Sequence, residues 1–89
     1  MNKFNIEKAV DRYRLFIKIE AIDIKVLSKQ IDVPYTILTN ANTRAKSIDP
    51  DVLAKIAEIY PEYGYWLAIG KELPESGQIS PLTKVTKKA

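Results

Sequence analysis

The chain has 89 residues, which suffices for one small domain with a tail and is too short for two hydrophobic cores. Apolar residues make up 46% of it and charged residues 28%, a balance typical of globular rather than disordered proteins. Cysteine and histidine are both absent, so zinc sites and the usual nucleophile–base pairs lack their residues. We therefore expect no enzyme, no metal, no cofactor and no evident small-molecule ligand.

The net charge of +3 is unevenly distributed along the chain. Residues 1–48 hold nine Lys and Arg against five Asp and Glu, a net of +4. Residues 49–75 hold two against six, a net of −4, and the remaining residues add three lysines. A basic half followed by an acidic half suits a protein that presents one face to phosphates. Chance variation in a small protein is the alternative explanation of this charge asymmetry.

Membrane segments and export signals are not indicated by the sequence. No apolar run approaches the roughly 20 residues that span a bilayer. The N-terminal residues also lack the pattern of a signal peptide. We therefore expect a cytoplasmic protein without a membrane partner.

The first predicted helix runs from about Asn5, its candidate N-cap, to Glu20. Its apolar residues recur with the 3.6-residue period of a helix. They are Ile6, Ala9, Val10, Tyr13, Phe16 and Ile17. Leu15 and Ile19 fall outside this stripe, which predicts that the helix is covered on two sides.

Two short helices joined by a tight turn are predicted next. Asp23 is the expected N-cap of the second helix, and Pro34 opens the third, where its missing N–H would be unpaired in any case. Asp32 and Val33 form the turn between them. The residues predicted to be buried on the two helices are Ile24, Leu27, Ser28 and Ile31, then Ile37, Leu38 and Ala41.

Two further helices complete the predicted domain. Asp49, Pro50 and Asp51 together mark a helix start, and this fourth helix extends to about Tyr60. A fifth helix runs from Glu62 to Ile69, with Gly70 as its C-terminal stop. Residues 1–73 thus form a predicted five-helix domain, and residues 74–89 an irregular, partly disordered basic tail.

This order and spacing of helices resembles the lambda-repressor-like, Cro/Xre-type helix-turn-helix family over about Ile6 to Gly70. The resemblance is carried by Ile22-Asp23, Leu27-Ser28, Val33, Ile37-Leu38, Ala41, the run from Leu53 to Ala57, and the Trp-Leu-x-x-Gly ending at Gly70. Residues 74–81 are similar to the endings of prophage-linked bacterial members. The resemblance implies a compact all-α fold and a sequence-specific DNA-binding regulator of the repressor or Cro-like kind.

By this resemblance the third helix enters the major groove of double-stranded DNA. The base-contacting candidates are Tyr35, Thr36, Thr39 and Asn40, because Asn bonds to adenine while Thr and Tyr carbons meet thymine methyls. The helix contains no Arg, the commonest guanine contact, so we expect an A·T-leaning half-site. The phosphate-contacting candidates are Lys25, Lys29, Thr43, Arg44 and Lys46.

The fifth helix has two sides with different expected roles. Tyr63, Trp66 and Leu67 share one side and are expected to pack in the core. Tyr65 and Ile69 lie on the other, which in this family often forms a two-fold dimer contact. A homodimer would place two recognition helices about one DNA turn apart and read a near-palindromic operator.

A second interpretation has the same helix-turn-helix fold but a protein instead of DNA as the partner. Asp32 stands where the family usually has Gly, and Ile24 where many members have a polar residue that contacts phosphate. Together with the third helix that lacks Arg, these residues favour a protein-interaction module, such as an antitoxin-like protein or a phage-encoded adaptor. The two interpretations differ in whether the protein binds DNA with a steep salt dependence.

Overall fold

The structure, a computed structural model, describes residues 6–88, with side chains up to Val85. Its α-helices are α1 (Ala9–Ile19), α2 (Ile24–Ile31), α3 (Tyr35–Thr43), α4 (Pro50–Ile59), α5 (Gly64–Ile69) and α6 (Pro81–Lys88). Short 3₁₀ turns occupy Pro61–Tyr63 and Pro74–Ser76, and an isolated β-bridge joins Leu73 to Gln78. The predicted all-α class is confirmed. In this part of the chain no helix has the length and apolarity needed to cross a bilayer.

Helix α1 passes through the centre of the core. It begins at Ala9, later than predicted, with Lys8 at the N-cap position, while Asn5 lies outside the described residues. Its buried residues are Val10, Arg12, Tyr13, Leu15, Phe16 and Ile17. Because these residues point to more than one side, α1 is covered on two sides, as predicted.

The turn between α2 and α3 is held by hydrogen bonds on both sides. Asp32 adopts φ 57° and ψ 48°, the left-handed region that residues other than Gly rarely occupy. The Ser28 hydroxyl donates to the Val33 carbonyl at 2.7 Å, and the Val33 N–H donates to the Ser28 carbonyl at 3.1 Å. The small residue at position 28 thus fixes the turn as well as allowing the two helices to approach.

Aromatic residues join α1 to the rest of the core. The Tyr13 hydroxyl donates to the Leu38 carbonyl of α3 at 2.8 Å, and burial raises the pKa of Tyr13 to about 12. The Phe16 ring meets those of Tyr60 and Tyr63 edge-on, with centroids 5.0 and 5.9 Å away. Trp66 is buried, as predicted for a core residue.

One arginine of α1 is part of the core rather than of the surface. Arg12 is only 3% exposed, and burial lowers its pKa. Its guanidinium donates to the carbonyls of Leu67 at 3.0 Å and Ala68 at 3.3 Å, near the end of α5. It also donates to those of Ile6 at 2.7 Å and Glu7 at 2.9 Å, just before α1. Arg12 therefore joins the start of α1 to the end of α5.

The prediction of an irregular tail is wrong for residues 81–88, which form α6. The Glu72 carboxylate accepts hydrogen bonds from the Ser80 N–H at 2.6 Å and the Thr83 hydroxyl at 2.5 Å, at the start of this helix. An ion pair of 2.8 Å joins Lys84 to Glu62. Burial alone would raise the pKa of Glu62, but the hydrogen bond from Lys84, a hydrogen bond from the Glu62 backbone and the charge of Lys84 together outweigh it and lower that pKa.

The chain before α6 is also attached to the domain. The Gln78 side chain donates to the Pro61 carbonyl at 2.9 Å and accepts from the Tyr65 N–H at 2.8 Å. The Ile79 N–H donates to the Glu62 carbonyl at 2.9 Å. The segment thus lies along the 3₁₀ turn before α5. Part of the stretch in which disorder was expected, Ala89, lies outside the described residues.

Candidate nucleic-acid interface

Helix α3 has a buried side and an exposed polar side. Leu38 and Ala41 are its buried residues. Thr36, Asn40 and Thr43 are exposed, and their spacing of four and three residues places them on one side of the helix. This surface is the one on which the sequence predicted base contacts.

The other two base-contacting candidates lie at the margins of this surface. Tyr35 begins α3 and is 43% exposed, with the Lys25 ammonium 5.9 Å from its ring centroid, within cation–π range. Thr39 is half-buried, and its hydroxyl oxygen is buried without a hydrogen-bond partner in the described part of the chain. Its backbone carbonyl accepts from the Thr43 hydroxyl at 2.9 Å. Thr39 is therefore the least accessible of the four candidates.

The prediction that Ile37 is buried is wrong, since 48% of this residue is exposed. The core covers only the side of α3 that carries Leu38 and Ala41, and Ile37, turned by about 100° from Leu38, lies outside that side. Val26 on α2 is likewise 51% exposed. Helices α2 and α3 thus each expose a large apolar side chain.

The cationic candidates lie at opposite ends of α3. Lys25 lies beside Tyr35 at its N-terminal end, whereas Arg44 is the C-cap and Lys46 follows shortly after. Arg44 and Lys46 are exposed, as is Lys29 on α2. The structure therefore places positive charge at both ends of the helix.

A groove of about 470 Å³ lies between the start of α1 and the chain that follows α3, and we call it the basic groove. Its charged and hydroxyl-bearing lining residues are Lys8, Asp11, Arg14, Thr43, Arg44 and Lys46. Lys8 and Arg14 were not among the sequence-predicted site residues. No sequence signal could have identified them, because their proximity to residues 43–46 arises only in the folded chain.

Arg14 positions one wall of this groove. Its Nε donates to the Ala41 carbonyl at 2.9 Å, and its guanidinium also donates to the Ala45 carbonyl. It forms an ion pair of 3.1 Å with Asp11 as well. Arg14 thereby attaches the end of α3 to α1, and much of its charge is already engaged.

The predicted dimer residues lie apart from α3, on α5. Ile69 is 54% exposed, whereas Tyr65 is half-buried and its N–H is bonded to Gln78. Leu82 and Val85 on α6 are also exposed apolar residues. The predicted dimer surface thus combines an exposed apolar side chain, Ile69, with a tyrosine that is only half-exposed.

Comparisons with known proteins give no family assignment. No family model matches the sequence. No curated protein matches it either.

Proposed function

We propose that this protein is a sequence-specific regulator of transcription that binds double-stranded DNA, of the repressor or Cro-like kind. In this proposal α2, its turn and α3 act as a helix-turn-helix, with α3 in the major groove. The supporting observation is an exposed polar helix surface with cationic side chains at both ends.

The dimensions of α3 suit this placement. The major groove is roughly 12 Å wide and admits the diameter of about 10–12 Å of an α-helix, and the nine residues of α3 extend about 13 Å. Cations near its two ends would then reach phosphates that border the groove. The side chains between them would face the base edges.

Base recognition in this proposal combines hydrogen bonds and methyl contacts. Asn40 can bond to adenine through both its amide oxygen and its amide nitrogen. Thr36 and Ile37 offer methyl groups that can contact the methyl of thymine. Both contacts favour an A·T-leaning half-site, as does the absence of Arg from α3.

We further propose that the protein acts as a cytoplasmic homodimer through the surface of Tyr65 and Ile69. Two-fold symmetry would present two copies of α3 to successive turns of the duplex. The operator would then be a near-palindrome. Sedimentation measures the oligomeric state of the parent and of Ile69→Asp. A dimeric parent and a monomeric variant would support this contact.

Two substitutions test the assignment of roles. Arg44→Gln should weaken binding to all duplexes alike and lower the salt slope by about one. Asn40→Ala should instead relax the preference at one base pair by about 1–3 kcal/mol. Lys55→Gln, which removes an exposed charge on α4, is the matched control for Arg44→Gln.

Selection from random DNA supplies the duplexes for these measurements, followed by binding across a salt series. Identical behaviour of Arg44→Gln and Asn40→Ala would contradict the division into phosphate and base contacts. Selected sites rich in G·C would contradict the proposed half-site. Parent protein that binds no duplex, even at low salt, would contradict the proposed function itself.

The exposed apolar residues support a second candidate function. Ile37 and Val26 are the kind of side chains that protein partners cover. An adaptor or antitoxin-like protein would use this surface to bind another protein and would show no salt-dependent DNA binding. Loss of partner binding in Ile37→Asp, with no DNA binding by the parent, would favour this function.

A further inference from the structure

We propose that the basic groove binds a phosphate of the DNA backbone, so that α1 contacts DNA in addition to α2 and α3. This inference rests on the proposed function and extends it to an element outside the helix-turn-helix. The new contact residue is Lys8, which lines the groove opposite Arg44 and Lys46.

The charge of the groove favours an anion. Four cationic side chains and one carboxylate line it, and Asp11 is already paired with Arg14 at 3.1 Å. Lys8, Arg44 and Lys46 are exposed and take part in no ion pair among the described residues. Three cationic side chains thus converge on one groove without a carboxylate partner.

The backbone of α1 adds to this preference. Lys8 occupies the N-cap position, and no side chain caps the helix there. The first N–H groups of an α-helix lack intrahelical partners and carry the positive end of the helix dipole. A phosphate in the groove would gain from these groups as well as from the lysines.

The position of the groove indicates a polymeric phosphate rather than a free ion. It adjoins Thr43 and Arg44, at the opposite end of α3 from Tyr35. Tyr35 and Thr43 are about 12 Å apart along α3, so the basic groove lies beyond the residues proposed to read bases. With α3 in the major groove, we expect a phosphate at the edge of that DNA groove to reach the opening between Arg44 and Lys8.

The first test removes the Lys8 charge without removing its length, in Lys8→Gln. Duplex binding is measured across a salt series for the parent, Lys8→Gln and the control Lys55→Gln. One lost phosphate contact should lower the salt slope by about 0.9, which makes binding at 0.1 M salt about eightfold weaker when the curves are matched at 1 M. Lys55→Gln should match the parent, and thermal unfolding checks that both variants fold.

These results separate this inference from the proposed function. If the parent binds with a steep salt slope and Lys8→Gln behaves like Lys55→Gln, the groove does not contact DNA, although the function stands. If the parent binds no duplex, both proposals are overturned. A drop in slope confined to Lys8→Gln supports both.

A second test locates the phosphate on the DNA. Single neutral methylphosphonate linkages are introduced in turn along the selected operator. One position outside the bases read by α3 should weaken DNA binding by the parent about eightfold and weaken binding by Lys8→Gln clearly less, since one of the cations on that phosphate is already gone. Equal effects on both proteins at every position would overturn the inference.

Inorganic phosphate distinguishes a backbone site from a site for free anions. Amide chemical shifts of Ala9 and Ala45, beside the groove, are followed with the duplex and with inorganic phosphate alone. We expect shifts with the duplex at micromolar concentrations and none with equal concentrations of phosphate. Saturating shifts with phosphate alone in that range would assign the groove to a free anion and overturn the backbone proposal.

Discussion

The buried guanidinium of Arg12 allows a direct test of how this fold is held together, through Arg12→Met. Methionine is flexible and apolar, so it fills most of the same space but donates no hydrogen bonds. The substitution leaves the carbonyls of Leu67, Ala68, Ile6 and Glu7 without this donor. The start of α1 and the end of α5 would then lose their common anchor.

The size of the effect follows from burial. The bond to Leu67 is buried, whereas the other three are part-buried and leave carbonyls that water can reach. Hydrogen bonds from charged donors contribute about 1.5–3 kcal/mol each, and an unsatisfied buried carbonyl costs about 1–3 kcal/mol. We therefore expect a loss of about 3 kcal/mol, which lowers the Tm of a domain of this size by about 12–24 °C.

Urea unfolding measures this loss, followed by the fluorescence of Trp66, the only tryptophan in the chain, and by circular dichroism. Lys55→Met removes an exposed cation in the same way and should change stability by no more than about 0.5 kcal/mol. A loss below about 1 kcal/mol for Arg12→Met would refute the reasoning, since it would mean that the carbonyls do not depend on the guanidinium.

Gly70 provides an independent check on the same anchor. Gly70 has φ 88°, and a Cβ there would lie 2.9 Å from Nη1 of Arg12. Gly70→Ala should therefore be destabilising in the parent through both strain and this clash. In the Arg12→Met background only the strain should remain, so the two substitutions should be non-additive. Additive losses would contradict the close approach.

Three further outcomes are expected. Tyr13→Phe should cost about 1–2 kcal/mol at neutral pH by removing the buried hydrogen bond from the phenol to the Leu38 carbonyl. Since the pKa of Tyr13 is raised to about 12, its contribution is complete below the unfolded value near 10 and is lost as pH rises towards 12. Tyr13→Phe should therefore lose less stability than the parent between those pH values. Glu72→Gln should speed amide exchange at Lys84 about tenfold, because the start of α6 loses a charged acceptor. Uracil lacks the methyl group of thymine that Ile37 is proposed to contact. Replacing that thymine by uracil should therefore weaken DNA binding by the parent about fourfold, because one buried methyl is worth about 0.8 kcal/mol, and should hardly change binding by Ile37→Ala.

Each of these outcomes has a matched comparison. Tyr65→Phe, at a half-buried tyrosine, is the control for Tyr13→Phe, and equal alkaline curves for parent and Tyr13→Phe would contradict the buried phenol. Exchange within α3 is the control for Glu72→Gln, and equal acceleration in both helices would indicate global rather than local opening. An equal uracil penalty in the parent and Ile37→Ala would remove Ile37 from base recognition.

The helix boundaries set by local chemistry could be predicted from the sequence. Asp23 accepts hydrogen bonds from the N–H groups of Lys25 and Val26, and Asp49 accepts one from Asp51, so both predicted N-caps are confirmed. Gly70 ends α5 in the left-handed conformation, as predicted. These features depend on residues within a few positions of each other, which is why the printed sequence determines them.

Contacts between distant residues were decided only by the tertiary structure. The apolar period of the sequence predicts helix α1, which contains Arg12. It does not predict the partners of Arg12, because Leu67 and Ala68 are more than fifty positions away. Glu72 holds α6 through Ser80 and Thr83, and the Pro- and Gly-containing sequence before that helix suggested an irregular tail. In each case a polar side chain stabilises the end of a helix in another part of the sequence. Local sequence rules do not predict such a contact, because they relate only residues that are close together along the chain.

The candidate interface shows the same division. The polar side of α3 follows from a helical period, and Thr36, Asn40 and Thr43 are exposed on it, whereas the Thr39 hydroxyl is buried. The exposure of Ile37 depends on which side of α3 meets the core. The basic groove requires Lys8 and Lys46 to lie across from each other, and only the packing of α1 against the end of α3 achieves this. Local sequence determined the helices and their caps, while burial and long-range hydrogen bonds decided which surfaces remain free to bind, because both depend on how distant segments pack.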